Sequence, residues 1–132
     1  MPVKTEKSTI RVLNVEDEAH IQTVTRLALE VDSFVVESCG SGEEALKKAM
    51  TCAPDLILLD VMLPDTDGPT LLEALRRIPK LATTPVIFMT ALAQAHEISR
   101  YKSIGAVDVI VKPFDPMGLA TRIRKIWENH NG

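Results

Sequence analysis

The stretch Asp55-Leu56-Ile57-Leu58-Leu59-Asp60 decides how this chain reads. Consecutive apolar residues suit a strand covered on both faces, as in a parallel sheet flanked by helices. The acid closing the run needs a reason, because a charge after so apolar a segment costs stability unless it is used or paired. Three more apolar runs also end on polar residues. Ile10–Val15 is followed by Glu16-Asp17, Pro85–Met89 by Thr90, and Val107–Val111 by Lys112. As parallel strands of one sheet, these four runs would gather three acids, a hydroxyl and an ammonium along one edge.

The segments between the runs carry helical periodicity. From Asp17 to Val31, the residues Ile21, Val24, Leu27, Ala28 and Val31 fall in step and predict an amphipathic helix with that stripe inward. Phe34–Ser38 is a short β-branched run. Gly40-Ser41-Gly42 turns the chain, and Ser41 is placed to cap a helix carrying Ala45, Leu46, Ala49 and Met50, which Pro54 ends. Asp67, followed by Gly68-Pro69, reads as the cap of a third helix with proline in its first turn and Leu71, Leu72, Leu75 and Ile78 buried. The stripe of the 93–103 segment (Ala95, Ile98, Tyr101) is thin. Leu119, Ile123, Ile126 and Trp127 mark a last helix. Strand and helix alternate five times, which predicts a doubly wound parallel α/β sheet with helices on both faces. Right-handed crossovers leave few strand orders. In such sheets ligands bind beyond the carboxyl ends of the strands, where the polar residues fall.

Composition narrows the classes. The chain has 132 residues, of which 45% are apolar, and a net charge of −3. One domain is expected over residues 10–130, behind a polar, flexible tail at residues 1–9. The charge argues against direct nucleic-acid binding, which favours a basic stripe. No run of about 18 apolar residues predicts a membrane span, and MPVKTEKST lacks the apolar core of a signal peptide. Cys39 and Cys52 are too few for a disulfide framework or a zinc site, so a reduced, cytoplasmic protein is expected.

Two carboxylates about 4 Å apart repel by roughly 4 kcal/mol at an effective dielectric near 20. Three crowded acids therefore call for a cation or take up protons. Mg²⁺ meets that need with oxygen ligands and keeps room for a phosphate oxygen, and Mn²⁺ could substitute. Lys112 and Thr90 opposite the acids would grip phosphate oxygens. Each residue alone has an ordinary alternative. Glu16-Asp17-Glu18 suits a helix N-terminus, Asp60 suits a strand-end cap, and a lone Thr or Lys is commonplace. No GxxxxGK[ST] loop or GxSxG elbow competes. His20, His96 and His130 are scattered.

Together the motifs VEDE (15–18), LILLDVMLPDTDG (56–68), PVIFMTA (85–91) and GAVDVIVKPF (105–114) resemble the receiver domain of bacterial two-component response regulators. The resemblance runs from Ile10 to Trp127. It implies a flavodoxin-like (βα)5 fold with a five-stranded sheet of order 2-1-3-4-5. It implies a signalling phosphoacceptor rather than an enzyme with a separate substrate. Asp60 would take a phosphoryl group from a phosphohistidine on a sensor histidine kinase or a histidine phosphotransfer protein. Asp17 and Asp60 would bind Mg²⁺ with the backbone carbonyl of Met62, and Glu16 would act on the metal through water. Lys112, Thr90 and the neighbouring Ala91 would hold the phosphoryl oxygens, with Thr90 swinging inward. Lys112-Pro113 would be a cis peptide. A downstream protein would read the 93–127 face, and the chain would be a monomer or a phosphorylation-dependent dimer.

Some positions depart from the family's pattern. Glu16 stands where Asp is commoner. Val109 stands where many receivers carry the aromatic residue that moves with the Thr, so the readout must use another group, such as Tyr101 or the 91–96 loop. Met62 and Leu92, two residues beyond Asp60 and Thr90, are apolar and orient no water, which predicts a long-lived phosphoryl state. Arg122 and Arg124 resemble positions in dimerising receivers and equally suit solvated helix residues. The KPFDPM (112–117) and RKIW (124–127) segments look like those of free-standing receivers; an excised domain is the alternative. An aspartyl phosphatase and a never-phosphorylated interaction module remain open. The former usually has a second acid at the place of Met62, and the complete acid, Thr and Lys set argues against the latter.

Overall fold

The computed structural model of the chain describes residues 9–91 and 93–131. Leu92 and the tail expected at residues 1–9, apart from Thr9, lie outside the described residues. The elements are β1 (Ile10–Val15), α1 (Ala19–Glu30), β2 (Phe34–Cys39), α2 (Gly42–Cys52), β3 (Leu56–Asp60), α3 (Gly68–Arg76), β4 (Val86–Thr90), α4 (Ala95–Ser103), β5 (Asp108–Val111) and α5 (Pro116–Asn131). A short 3-10 turn, Pro79–Leu81, precedes β4. All strand pairs are parallel, in the order β2-β1-β3-β4-β5. The expected doubly wound, flavodoxin-like sheet is therefore the observed one.

Alternation along each strand splits the core into two layers. Leu13, Val15, Ile57, Leu59, Val86, Phe88 and Val109 pack with side chains of α2, α3 and α4. Val12, Leu56, Leu58, Ile87, Met89 and Ile110 pack with those of α1 and α5. Every residue of β3 is buried, which accounts for its unbroken apolar run. Each such Leu or Ile side chain contributes about 1.5–3 kcal/mol by leaving water.

Caps start the helices where the residue types predict. Ser41 Oγ accepts from Glu44 N at 3.2 Å, and Asp67 Oδ1 accepts from Thr70 N at 2.8 Å, with Pro69 in the first turn of α3. The expected stripe of α1 is corrected. Leu27 and Val31 are 54% and 86% exposed, whereas Thr25 and Leu29 are buried. Two neighbouring stripes both have helical period, and the sheet takes the one containing Thr25, leaving Leu27 and Val31 outside. Met50 and Ala95 are likewise exposed, so only Ile98 and Tyr101 of the stripe expected on α4 face inward. Arg122 and Arg124 are not merely solvated. Arg122 Nη2 donates to Val109 O at 2.9 Å; Arg124 Nη2 donates to Asp32 O at 2.6 Å, and its guanidinium lies 4.9 Å from the centre of the Phe34 ring. No helix among the described residues is long and apolar enough to cross a membrane.

The register levels the strand ends. Val15 pairs with Leu59, so Glu16 comes level with Asp60, and Asp60 pairs with Met89. Thr90 then lies one residue further along, and Lys112, following Val111, two. Gly68 keeps the next helix close to this edge. A Cβ there would lie 3.0 Å from Val61 Cα and 3.2 Å from the Asp60 carbonyl oxygen, both backbone atoms that cannot swing aside. Gly68→Ala is expected to cost about 1–3 kcal/mol, the scale of overpacking. An unchanged urea midpoint would rule that out.

Candidate functional site

Four of the anticipated residues meet at the carboxyl edge of the sheet. One carboxylate oxygen each from Glu16, Asp17 and Asp60 lies within 4.8 Å of the others. Lys112 Nζ lies 3.0 Å from Glu16 Oε1 and 3.0 Å from Asp60 Oδ2. Its four-carbon stem spans the two-residue offset of β5. Glu16 is 3% exposed and Asp60 is also buried, while Asp17 faces solvent. The remaining oxygens have backbone partners: Glu18 N donates to Glu16 Oε2 at 3.1 Å and Met62 N to Asp60 Oδ1 at 3.2 Å.

Burial pushes the Glu16 carboxyl above its ordinary value, against the Lys112 hydrogen bond and the Glu18 amide, with Asp60 adding repulsion. For Lys112, burial alone acts downward, but the hydrogen bonds to Glu16 and Asp60 outweigh it and leave the ammonium above its ordinary value. One ammonium thus faces three acids, and the excess negative charge favours a further cation. The donors are hard oxygens in close reach, which fits Mg²⁺ or Mn²⁺; among the described residues no Cys/His cluster offers a softer site.

The other anticipated residues stand around this group. Thr90 is buried at the end of β4, and Ala91 after it is exposed. Met62 is 76% exposed, and its backbone forms a bridge with Asp67. The Lys112–Pro113 peptide is cis. Val109 is buried beside Phe88 in the sheet, and Tyr101 of α4 meets Phe88 edge-on at 5.1 Å between ring centres.

Two supporting residues carried no readable signal. The Gln22 amide of α1 donates to Glu16 O and, at 3.3 Å, to Cys39 O, tying the β1–α1 loop to the end of β2. Asp65 reaches the start of α2, with Oδ1 accepting from Gly42 N at 2.8 Å. Both bond to backbone across long stretches of chain, which residue pattern does not report. The buried acids are flanked by exposed Asp17, Met62 and Ala91. A groove of about 620 Å³ between α1 and α5 is lined by Val24, Leu27, Val31 and Met117 among others and includes none of the four clustered residues.

Comparison with known proteins adds the family. The response regulator receiver domain model matches residues 12–124. The transcriptional regulatory protein ResD of Bacillus subtilis is 36% identical over 117 residues, covering 88% of this chain and 47% of that protein. The transcriptional regulatory protein CseB of Streptomyces coelicolor is 42% identical over 115 residues, 87% of this chain and 48% of that one. The chain thus spans about half the length of these relatives. Among solved structures, the chemotaxis response regulator CheY4 of Vibrio cholerae superposes with a TM-score of 0.84 at 29% identity, over 89% of this chain and 98% of that one. Given the matched sheet and the acidic cluster at its edge, the chain belongs to the response regulator receiver family of bacterial two-component systems, a phosphorelay signalling domain rather than a classical enzyme.

Proposed function

We propose that Asp60 is the phosphoacceptor of this receiver and that a phosphohistidine, on a sensor histidine kinase or a histidine phosphotransfer protein, is its donor. The carrying observation is the convergence of Glu16, Asp17 and Asp60 with the Lys112 ammonium 3.0 Å from Asp60. An Asp60 oxygen attacks phosphorus; the new O–P bond forms as the P–N bond to the donor imidazole breaks, and the imidazole leaves with the electron pair. Such transfer is mainly positioning and neutralisation of charge on the phosphoryl oxygens. Lys112 supplies one positive charge at the acceptor, and Thr90 donates to a phosphoryl oxygen. Asp17, Asp60, the Met62 carbonyl and, through water, Glu16 would hold Mg²⁺, with Mn²⁺ as a substitute; the ion would supply charge neutralisation. Exposed Asp17, Met62 and Ala91 beside the acids leave the site within reach of a phosphoryl group presented by another protein.

The acyl phosphate adds about −1.5 to −2 charge if it behaves like other phosphates. That charge draws Thr90 inward and shifts the 90–114 surface, changing what the 93–127 face binds. Domain extent over residues 10–130, cytoplasmic location, a downstream protein rather than nucleic acid as target, and a monomer or phosphorylation-dependent dimer belong to the same reading.

Incubation with Mg²⁺ and acetyl phosphate followed by intact mass tests it. A persistent gain of one phosphoryl group mapping to Asp60 is expected. Rapid phosphate release without adduct would identify a phosphatase, and no reaction an interaction module. The adduct is also expected to decay slowly, because exposed Met62 orients no water. Introducing water-orienting groups through Met62→Asn with Leu92→Glu, each gain worth up to about 1.4 kcal/mol, raises decay about tenfold to a hundredfold. Unchanged decay would refute this.

A further inference from the structure

Five residues past Asp60, Asp65 caps a helix that is not its own. Its Oδ1 accepts from Gly42 N at 2.8 Å and its Oδ2 from Glu43 N at 3.1 Å. These are first-turn amides of α2, which have no partner within the helix. The Gly42 amide first, then that of Glu43, holds the Asp65 carboxyl below its ordinary range. Yet α2 has its own cap, since Ser41 Oγ takes the next amide, Glu44 N. The helix start is therefore not left to Asp65 alone.

The loop gains more from the link. Between β3 and α3 it folds on itself: Leu63 N donates to Thr66 O at 3.1 Å, Met62 bridges to Asp67, and Gly68 N donates to Val61 O at 2.7 Å. These bonds shape the loop and join it to α3. The two Asp65 bonds fasten its outer side to α2. Thr66 presses its methyl on the same point, where a Cβ on Gly42 would come within 2.5 Å of it. Met62 lies three residues before Asp65 on this loop, with its backbone inside the folded turn.

We propose that Asp65 is a positioning residue for the cation site, its clasp on the first turn of α2 fixing the 61–67 loop and with it the Met62 carbonyl. This rests on the proposed assignment of Asp60 and the Met62 carbonyl to Mg²⁺. Groups that orient a metal ligand without touching the metal commonly govern affinity about 10–100-fold.

The test is calorimetric titration of the whole chain with Mg²⁺. Asp65→Ala is expected to raise Kd about tenfold, the low end of that range. Asp65→Asn, which keeps one acceptor oxygen, falls between it and the wild type. Two controls separate the clasp from its side effects. Ser41→Ala removes the other cap of the same helix, and Glu43→Gln removes a neighbouring charge without the link; both keep the wild-type Kd. Amide exchange at Leu63 and Gly68 quickens in Asp65→Ala and not in Ser41→Ala. The inference is overturned if Asp65→Ala binds as the wild type does, or if either control weakens binding equally. Should Asp65→Ala fail to fold, Asp65→Asn decides by the same comparison. If the wild type binds no Mg²⁺, the cation assignment itself falls and this inference with it; binding by the wild type with an indifferent Asp65→Ala removes this inference alone.

Discussion

Asp60→Asn forms no phosphoryl adduct with acetyl phosphate and Mg²⁺, yet folds as the wild type does. Asn has the shape of Asp, and the place of residue 60 in β3 depends on the ladder with β4 and on burial of its neighbours. What changes is chemistry: the amide nitrogen's lone pair is delocalised and makes no acyl phosphate. Charge crowding also falls. Carboxylates about 4 Å apart repel by roughly 4 kcal/mol at an effective dielectric near 20, and here three have oxygens within 4.8 Å of one another. Lys112 keeps its bond to Glu16 when Asp60 is neutralised. Without Mg²⁺ the variant's urea midpoint is therefore expected at or above that of the wild type. Intact mass and denaturation read the two halves separately, and an adduct surviving in Asp60→Asn would place the nucleophile elsewhere.

Lys112→Met has the opposite profile, losing both stability and reactivity. The ammonium is the shared partner of two buried carboxylates. Breaking a fully buried pair costs about 3–5 kcal/mol; partial exposure of Lys112 discounts this to roughly 2–3 kcal/mol. Burial alone would depress the Lys112 pKa, but its hydrogen bonds to Glu16 and Asp60 raise it above its ordinary value in the folded chain. Its contribution is therefore fully present below the unfolded-state value and disappears as pH rises through the folded one. The gap between wild type and variant closes in alkali. Phosphorylation is expected to slow on the order of a hundredfold, the scale for removing one charge-stabilising donor. The variant's acids lack a counter-charge, so Mg²⁺ stabilises it more than the wild type. Equal stability at pH 7, or an equal Mg²⁺ effect, would contradict the geometry.

Much of this could be read from residues in order. The apolar runs located the strands because buried parallel strands carry little else, and Asp60 and Thr90 are the last ladder residues of β3 and β4. The clustered acids and Lys112 were legible because each ends or follows a strand, and strand ends of one parallel sheet meet. The face of α1 was not: Leu27 and Val31 have the right period, but the sheet selects the side bearing Thr25. Gln22 and Asp65 stayed silent for another reason, since each joins backbone groups brought near only by the folded topology.

Tyr101 is the single buried residue of α4, set edge-on against Phe88 two positions before Thr90. A helix seated by one ring and the half-buried Ile98 has a small detachment cost, and its outward residues lie away from the core. Those residues can change with little cost to folding while the carboxylate edge stays constant, so under the proposed function the same phosphoacceptor would be re-addressed to new targets by substitutions on α4.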